Sequence, residues 1–181
     1  MQVASVTQSE IRVTLETAIE LINGRSEDEF DVRNALEQRG FSRASNASAA
    51  SISRLDLRMG ELEPLFVDLP GTEPAVAISR VNEQLTEVEI APSIVAHDGV
   101  GPHMHWTPTS ATFDEQVVAD VLMALAHELC DNGTSRFGHC AAESCDDLFY
   151  DATRNRSRRF CDDPKCASRT HTAHHRARQR S

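Results

Sequence analysis

Four of the five cysteines fall into two identical pairs. Cys140 and Cys145 sit in CAAESC, fifteen residues follow, and Cys161 and Cys166 sit in CDDPKC. Thiolates are soft ligands, and two short-spaced pairs on tight turns can set four sulfurs in a tetrahedron about 2.3 Å from a zinc ion. A free thiol titrates near 8.5, so the metal must displace protons to bind, and roughly 10 to 16 kcal/mol of apparent zinc affinity then goes into folding. The segment that carries the pairs is short of apolar side chains and is expected to need that contribution. Four thiolates close the coordination sphere, which suits a structural zinc and leaves no position for a hydrolytic water. Two disulfides are the alternative use of the same cysteines. Substitution of one ligand by His139, His171, His174 or His175 is another. His171 and His175 have the HxxxH spacing of zinc fingers, although Cys166 is only five residues from His171 where an ordinary finger leaves about twelve. Cys130, ten residues before the cluster, reads as a core or partly buried thiol.

Arginine surrounds the cysteines. From Arg154 to the end there are nine basic residues against two acids, and eight of the nine are Arg. They are Arg154, Arg156, Arg158, Arg159, Lys165, Arg169, Arg176, Arg178 and Arg180. A guanidinium can grip a phosphate or a guanine edge through two parallel hydrogen bonds. The chain as a whole carries a net charge of −10, but from Arg136 onward the balance is +4 and before it −14. An acidic body repels a phosphate backbone, so any nucleic-acid contact is confined to the tail. If the stretch after Cys166 is helical, Arg169, Arg176 and Arg180 share a face of a short basic helix that fits a major groove. The plain alternative is a solvated tail, or one folded back on the acidic body. A metal that fixes Arg154 to Arg159 in place favours binding, because a rigid cluster loses less entropy on association. Asp151 and Asn155 are expected to brace the loop between the pairs. Phe149 and Phe160 are expected to form a small apolar cover over the metal.

The segment from Arg136 to Arg178 resembles the CGNR zinc finger, the C-terminal module of bacterial proteins whose N-terminal part is the ABATE domain. The matching residues are Cys140, Ala141, Cys145, Leu148, Phe149, Asp151, Arg154, Asn155, Ser157, Arg158, Arg159, Cys161, Cys166, Arg169 and the run from His175 to Arg178. They span about a quarter of the chain. The resemblance implies four cysteine zinc ligands and a stress-induced transcriptional regulator that binds DNA or RNA, with no enzymatic activity. Two departures stand out. The namesake motif reads Cys166-Ala167-Ser168-Arg169 here, and the usual Trp before the third cysteine is Phe160. Losing the Gly alters the turn after Cys166, and losing the Asn removes a cap or base contact. The first 130 residues resemble the ABATE domain in their order of elements.

The elements that must position this module read mainly as helices. Thr7 and Glu10 have capping-box spacing, followed by Ile11, Leu15, Ile19 and Ile22 on one face, with an end near Gly24. Ser26 and Glu29 repeat the signal before a helix with Val32 and Leu36 inward that stops at Gly40. Residues 42 to 53, rich in Ser and Ala, connect to a face of Leu55, Met59, Leu62 and Phe66, which Pro64 is expected to kink or end. After a Pro70-Gly71 turn comes a short helix of Pro74, Ile78, Val81 and Leu85. Between Thr86 and Thr107 the period changes to two. Val88, Ile90, Ile94 and Val95, an Asp98-Gly99 turn, and His103 and His105 alternating with Met104 and Trp106 predict a β-hairpin or meander. Val118, Val121, Leu122, Leu125 and Leu129 then form the clearest helix, closed by Asp131-Asn132-Gly133.

The expected architecture is α+β: a mainly helical N-terminal domain over 1–135 with a small β-hairpin or meander, then a zinc-binding module over 136–181 with a C-terminal basic helix. Apolar residues at 40% and charged residues at 25% suit a folded globular chain. No run approaches the ~20 apolar residues that span a bilayer, and MQVASVTQSEIR has no basic region leading into an apolar one, so a cytoplasmic protein is expected. The functional expectation is a transcriptional regulator whose acidic domain senses a small-molecule effector or makes a homodimer while the zinc tail binds DNA, with RNA second. A protein-interaction module that turns its Arg face to an acidic partner is the competing class. An enzyme would have to use His97, His103 and His105, which no carboxylate or nucleophile motif accompanies.

Overall fold

A computed structural model describes residues 8–41, 43–96 and 102–179. Thr7, His97, the Asp98-Gly99 turn and Arg180 lie outside the described residues. The architecture is α+β, mostly helical with two small antiparallel hairpins. In chain order it runs α1 (Gln8–Gly24), α2 (Val32–Gln38), a 3-10 turn (Ala44–Asn46), α3 (Ala49–Asp68), α4 (Pro74–Thr86), β1 (Ser93–Val95), β2 (His103–His105), α5 (Phe113–Asn132), β3 (Phe137–His139), β4 (Leu148–Tyr150) and α6 (Pro164–Gln179). Among the described residues no helix is long and apolar enough to cross a membrane.

The core is organised by α5, which packs against α1, α3 and α4. A capping box starts it, with Thr112 as cap and Glu115 returning a bond to the Thr112 N–H. Gly133 ends it at φ 61, a conformation that only glycine adopts without strain. Val118, Val121, Leu122, Leu125 and Leu129 are all buried, as their spacing predicts. Ile11, Leu15, Ile19 and Ile22 of α1 and Leu55, Met59, Leu62 and Phe66 of α3 close on them in one core.

Four local expectations need correction. The helix α3 does not end at Pro64 but continues to Asp68. A proline inside a helix costs about 3 kcal/mol, whereas each fully buried large apolar side chain contributes roughly 1.5 to 3, and Leu62, Leu65 and Phe66 are all buried around it. The cap of α2 is Asp31, which accepts from the Asn34 N–H. Ser26 instead closes α1 by donating to the Asn23 carbonyl. The inward face of α4 is Ala77 and Val81, and Ile78 is exposed, because at 3.6 residues per turn Ala77 is offset from Val81 by about 40° and Ile78 by about 60° on the other side. Val88 and Ile90 precede the first strand. The hairpin is three residues a side, with Ser93 opposite His105 and Ile94 opposite Met104.

The second hairpin carries the cysteines. Phe137 pairs with Tyr150, Gly138 with Phe149 and His139 with Leu148. Phe137, Leu148 and Tyr150 belong to the same core as the helices, with the Phe137 ring edge-on to Phe66 at 6.4 Å. Asn23 of α1 pins the hairpin edge by two bonds to Leu148, Nδ2 to its carbonyl at 3.0 Å and its N–H to Oδ1 at 2.9 Å. The carboxamide thereby satisfies an edge that would otherwise present unpaired backbone groups.

Candidate metal centre

Backbone bonds bring the two cysteine pairs together. Cys140 follows β3 and its N–H donates to the Asp147 carbonyl at 2.8 Å, while the Cys145 N–H closes a turn on Ala142 at 3.2 Å. The Ala141 N–H then donates to the Arg159 carbonyl at 2.8 Å, tying the first pair to the strand of chain that enters the second. Cys166 lies in the first turn of α6, and its N–H donates to the Asp163 carbonyl at 3.1 Å.

The four sulfurs lie within 4.8 Å of one another. Cys145 and Cys161 are 3.8 Å apart at Sγ, and Cys161 and Cys166 are 3.7 Å apart. A tetrahedron with zinc–sulfur bonds of about 2.3 Å has edges of about 3.8 Å, so these separations fit a four-thiolate zinc site. They are far from the ~2.05 Å of a disulfide, and all five cysteines are free. Cys140, Cys161 and Cys166 are buried, and Phe160 and Ala142 pack against the cluster. Burial pushes the Cys145 thiol up to about 12 and raises Cys161 further. Cys140 is desolvated too, but backbone N–H groups of Cys161 and Ala142 draw it below its ordinary value. Four thiolates in so small a volume need a cation to balance them. When bound, zinc supplies that charge and a rigid cross-link.

Neither His139 nor His171 joins the four sulfurs. His139 bonds through Nε2 to the Val67 carbonyl at 3.0 Å, which anchors the module to α3. His171 is exposed, with its ring edge-on to Phe160 at 5.9 Å. The side chains of His174 and His175 lie outside the described residues. Cys130, expected to be at least partly buried, is exposed near the end of α5. Phe160 covers the cysteines as expected, whereas Phe149 lies across Gly138, where an added Cβ would stand 2.4 Å from the ring.

Between the pairs the loop is braced by Asp151. Its Oδ1 accepts from Thr153 N at 2.8 Å and Thr153 Oγ1 at 2.5 Å, and Oδ2 accepts from Arg158 N at 2.7 Å. Burial works against its charge, but these bonds hold its carboxyl below the usual carboxylate range. Asn155, expected to share the work, is exposed and joins none of these bonds.

The basic residues divide into two groups. Arg156, at φ 47, donates to Ser135 Oγ at 2.8 Å and Asn132 Oδ1 at 2.6 Å, binding the loop to the end of α5. Arg158 donates to the Phe160 carbonyl at 2.8 Å and to Asp162 at 2.7 Å, and lies over the Phe149 ring at 5.4 Å. Both are committed to the module's own structure. Arg154, Arg159, Lys165 and Arg169 are exposed and make no ion pair with described residues, although Arg159 lies over the Phe160 ring at 5.9 Å. Lys165 and Arg169 stand one turn apart on α6, and Arg176 and Arg178 continue the same helix, their side chains outside the described residues.

A further group was not singled out by sequence. Glu128 of α5 is 1% exposed and accepts from the Tyr150 hydroxyl at 2.8 Å. Its other oxygen is 3.4 Å from Arg136 Nε, and Arg136 Nη1 donates to the Asp151 carbonyl at 2.7 Å. Burial raises the Glu128 carboxyl despite Tyr150 and Arg136, and burial next to that carboxylate raises the Tyr150 phenol. The signal was available. Val118, Val121, Leu125 and Glu128 follow one another at helical spacing, which puts the acid on the buried stripe.

Fold and site together define a mostly helical α+β chain that carries a compact four-cysteine metal module on a β-hairpin and the start of a basic helix. Residues 136–179 of that chain match the CGNR zinc finger family. No curated protein matches the chain.

Proposed function

We propose that this chain is a transcriptional regulator that binds DNA through the zinc-organised module, with RNA as the second candidate. The observation that carries the reading is the division of the cations. Arg156 and Arg158 build the module, while Arg154, Arg159, Lys165 and Arg169 remain exposed on a body that is acidic elsewhere. Cations held on a rigid support suit phosphate contacts, because little entropy is lost when they engage. The regulatory and stress-linked role belongs to this proposal through the ABATE resemblance. A four-thiolate set is coordinatively closed, so the metal is assigned a structural role and the chain no catalytic one.

The test compares neutral variants. Arg154→Gln, Arg159→Gln, Lys165→Gln and Arg169→Gln should each weaken duplex binding at low salt while leaving the melting temperature near that of the parent. Arg156→Gln and Arg158→Gln should act chiefly on stability. If the exposed four have no effect on DNA or RNA affinity, the nucleic-acid reading fails and an acidic protein partner becomes the better account of this surface.

A further inference from the structure

The helical body contains a cleft of two adjoining compartments. One, of about 330 Å³, has a floor of Val13, Phe41, Phe113 and Val117. The other, of about 580 Å³, is lined by Asn46, Ser93, Pro108 and Thr109, and no carboxylate lines it among the described residues. Arg43, His105, Phe113 and Gln116 line both, so the compartments share a wall. These volumes fall in the range of small-molecule sites, which are typically apolar with a few placed polar groups.

The shared wall is fixed by hydrogen bonds. Gln116 is 6% exposed, and its Nε2 donates to the Ala111 carbonyl at 3.2 Å. That bond orients its Oε1 as an acceptor, and Arg43 Nη1 donates to it. The other arginines of the helical body are spoken for. Arg12, Arg25, Arg39, Arg54, Arg58 and Arg80 are ion-paired with carboxylates, and Arg33 is bonded to the carbonyls of Ala44 and Ala47. Among the described residues Arg43 is held by a neutral amide and has no carboxylate partner. A guanidinium has five N–H donors, and Gln116 takes one of them. The planar fork then suits a ligand carboxylate better than a lone ammonium would.

The charge distribution orients the ligand. Glu10 and Asp120, each with a partner of its own, line the apolar compartment, and a ligand carboxylate gains less beside them than on Arg43. Arg39 lines it too, but Glu20 and Glu16 hold it at 2.6 and 3.3 Å. A bare inorganic anion would leave the apolar floor unfilled. We infer that this cleft binds a small organic acid, its carboxylate on Arg43 toward the compartment that no described carboxylate lines and an aromatic or branched apolar body against Val13, Phe41, Phe113 and Val117. The inference does not depend on the nucleic-acid reading.

The test is a titration of the zinc-loaded full chain followed by amide chemical shifts, with phenylacetate as the probe, acetate as the control for the apolar body and benzylamine as the control for charge. Phenylacetate should bind saturably and move the signals of Ala111 and the Gln116 carboxamide, with both controls at least tenfold weaker. Arg43→Gln, at an exposed position, should weaken phenylacetate by at least tenfold, as expected for loss of charge-assisted hydrogen bonds. Thr14→Phe, placed on the half-buried wall of the apolar compartment, should weaken it through a different contact. The absence of a saturable shift at about 10 mM, equal binding of benzylamine, or unchanged affinity in folded Arg43→Gln would each overturn the assignment.

Discussion

Replacing Glu128 by Ala removes the buried link between the helical body and the metal module. Its Oε1 lies 3.4 Å from Arg136 Nε, and among the described residues neither atom has a hydrogen-bond partner. At an effective dielectric of about 20, opposite charges at that distance attract by about 5 kcal/mol, and desolvation offsets much of this in the intact pair. Removing one partner is different, because the desolvated charge that remains has nothing to balance it, and such losses run at about 3 to 5 kcal/mol. Arg136 keeps its bonds to the carbonyls of Asp151 and Thr153 and its side chain is 18% exposed. The cost of the ion pair therefore falls at the lower end, about 3 kcal/mol. The Tyr150 hydroxyl loses its acceptor as well, for about 1 kcal/mol more. Urea unfolding of Glu128→Ala, followed by Trp106 fluorescence and by zinc release, should show a loss of about 3 to 4 kcal/mol. The two probes should move together if the module and the helices share one core. Tyr150→Phe alone should cost about 1 kcal/mol, and less than that in the Glu128→Ala background. A loss under about 1 kcal/mol for Glu128→Ala, against the expected range, or full additivity of the two changes, would refute the reasoning.

Other expectations follow from the same geometry. Asp114 is desolvated, but hydrogen bonds from Arg54, Ser51 and Thr112 outweigh that and hold its carboxyl at about 2 against 3.8 unfolded. The depressed value gives a stability contribution of about 2 kcal/mol that is present above about pH 4 and lost as pH falls toward 2. Urea melts of the parent and Asp114→Asn should differ at pH 7, and the gap should close across that window. Gly138→Ala should cost about 1 to 3 kcal/mol by overpacking, since the new Cβ would meet the Phe149 ring at 2.4 Å, and thermal unfolding would detect it. Cys161→Ser should abolish stoichiometric zinc binding by metal analysis, and the far-ultraviolet signal of α6 should fall while that of the helical body persists.

What could be read from sequence follows the range of the interaction concerned. The CxxxxC pairs were legible because ligand geometry is imposed over a few residues at a time, and Phe160 was legible because it adjoins Cys161. The faces of α1, α3 and α5 were legible because burial repeats at helical spacing. Pro64 does not end α3 because the local steric rule is outweighed by the burial of Leu62, Leu65 and Phe66. Arg156 and Arg158 were indistinguishable from Arg154 and Arg159 in a basic run, since what separates them is the position of Asn132, Ser135 and the Phe160 carbonyl after folding. Glu128 was hidden by its charge, which ordinarily marks a solvated face. Its partner Tyr150 is 22 residues away. Cys130 was placed inward by composition alone, although Leu129 beside it had already taken the buried position.

The measurement that bears most directly on the account is the salt dependence of duplex binding by the zinc-loaded full chain, with and without a chelator. Four exposed cations predict a slope of log affinity against log salt of about −3.6, from −0.9 per phosphate contact, and chelation should abolish the binding. The basic residues that follow Arg169 in the sequence can only steepen it. A flat salt response, or binding that survives loss of the metal unchanged, would contradict the claim that the four-cysteine module presents this surface to nucleic acid.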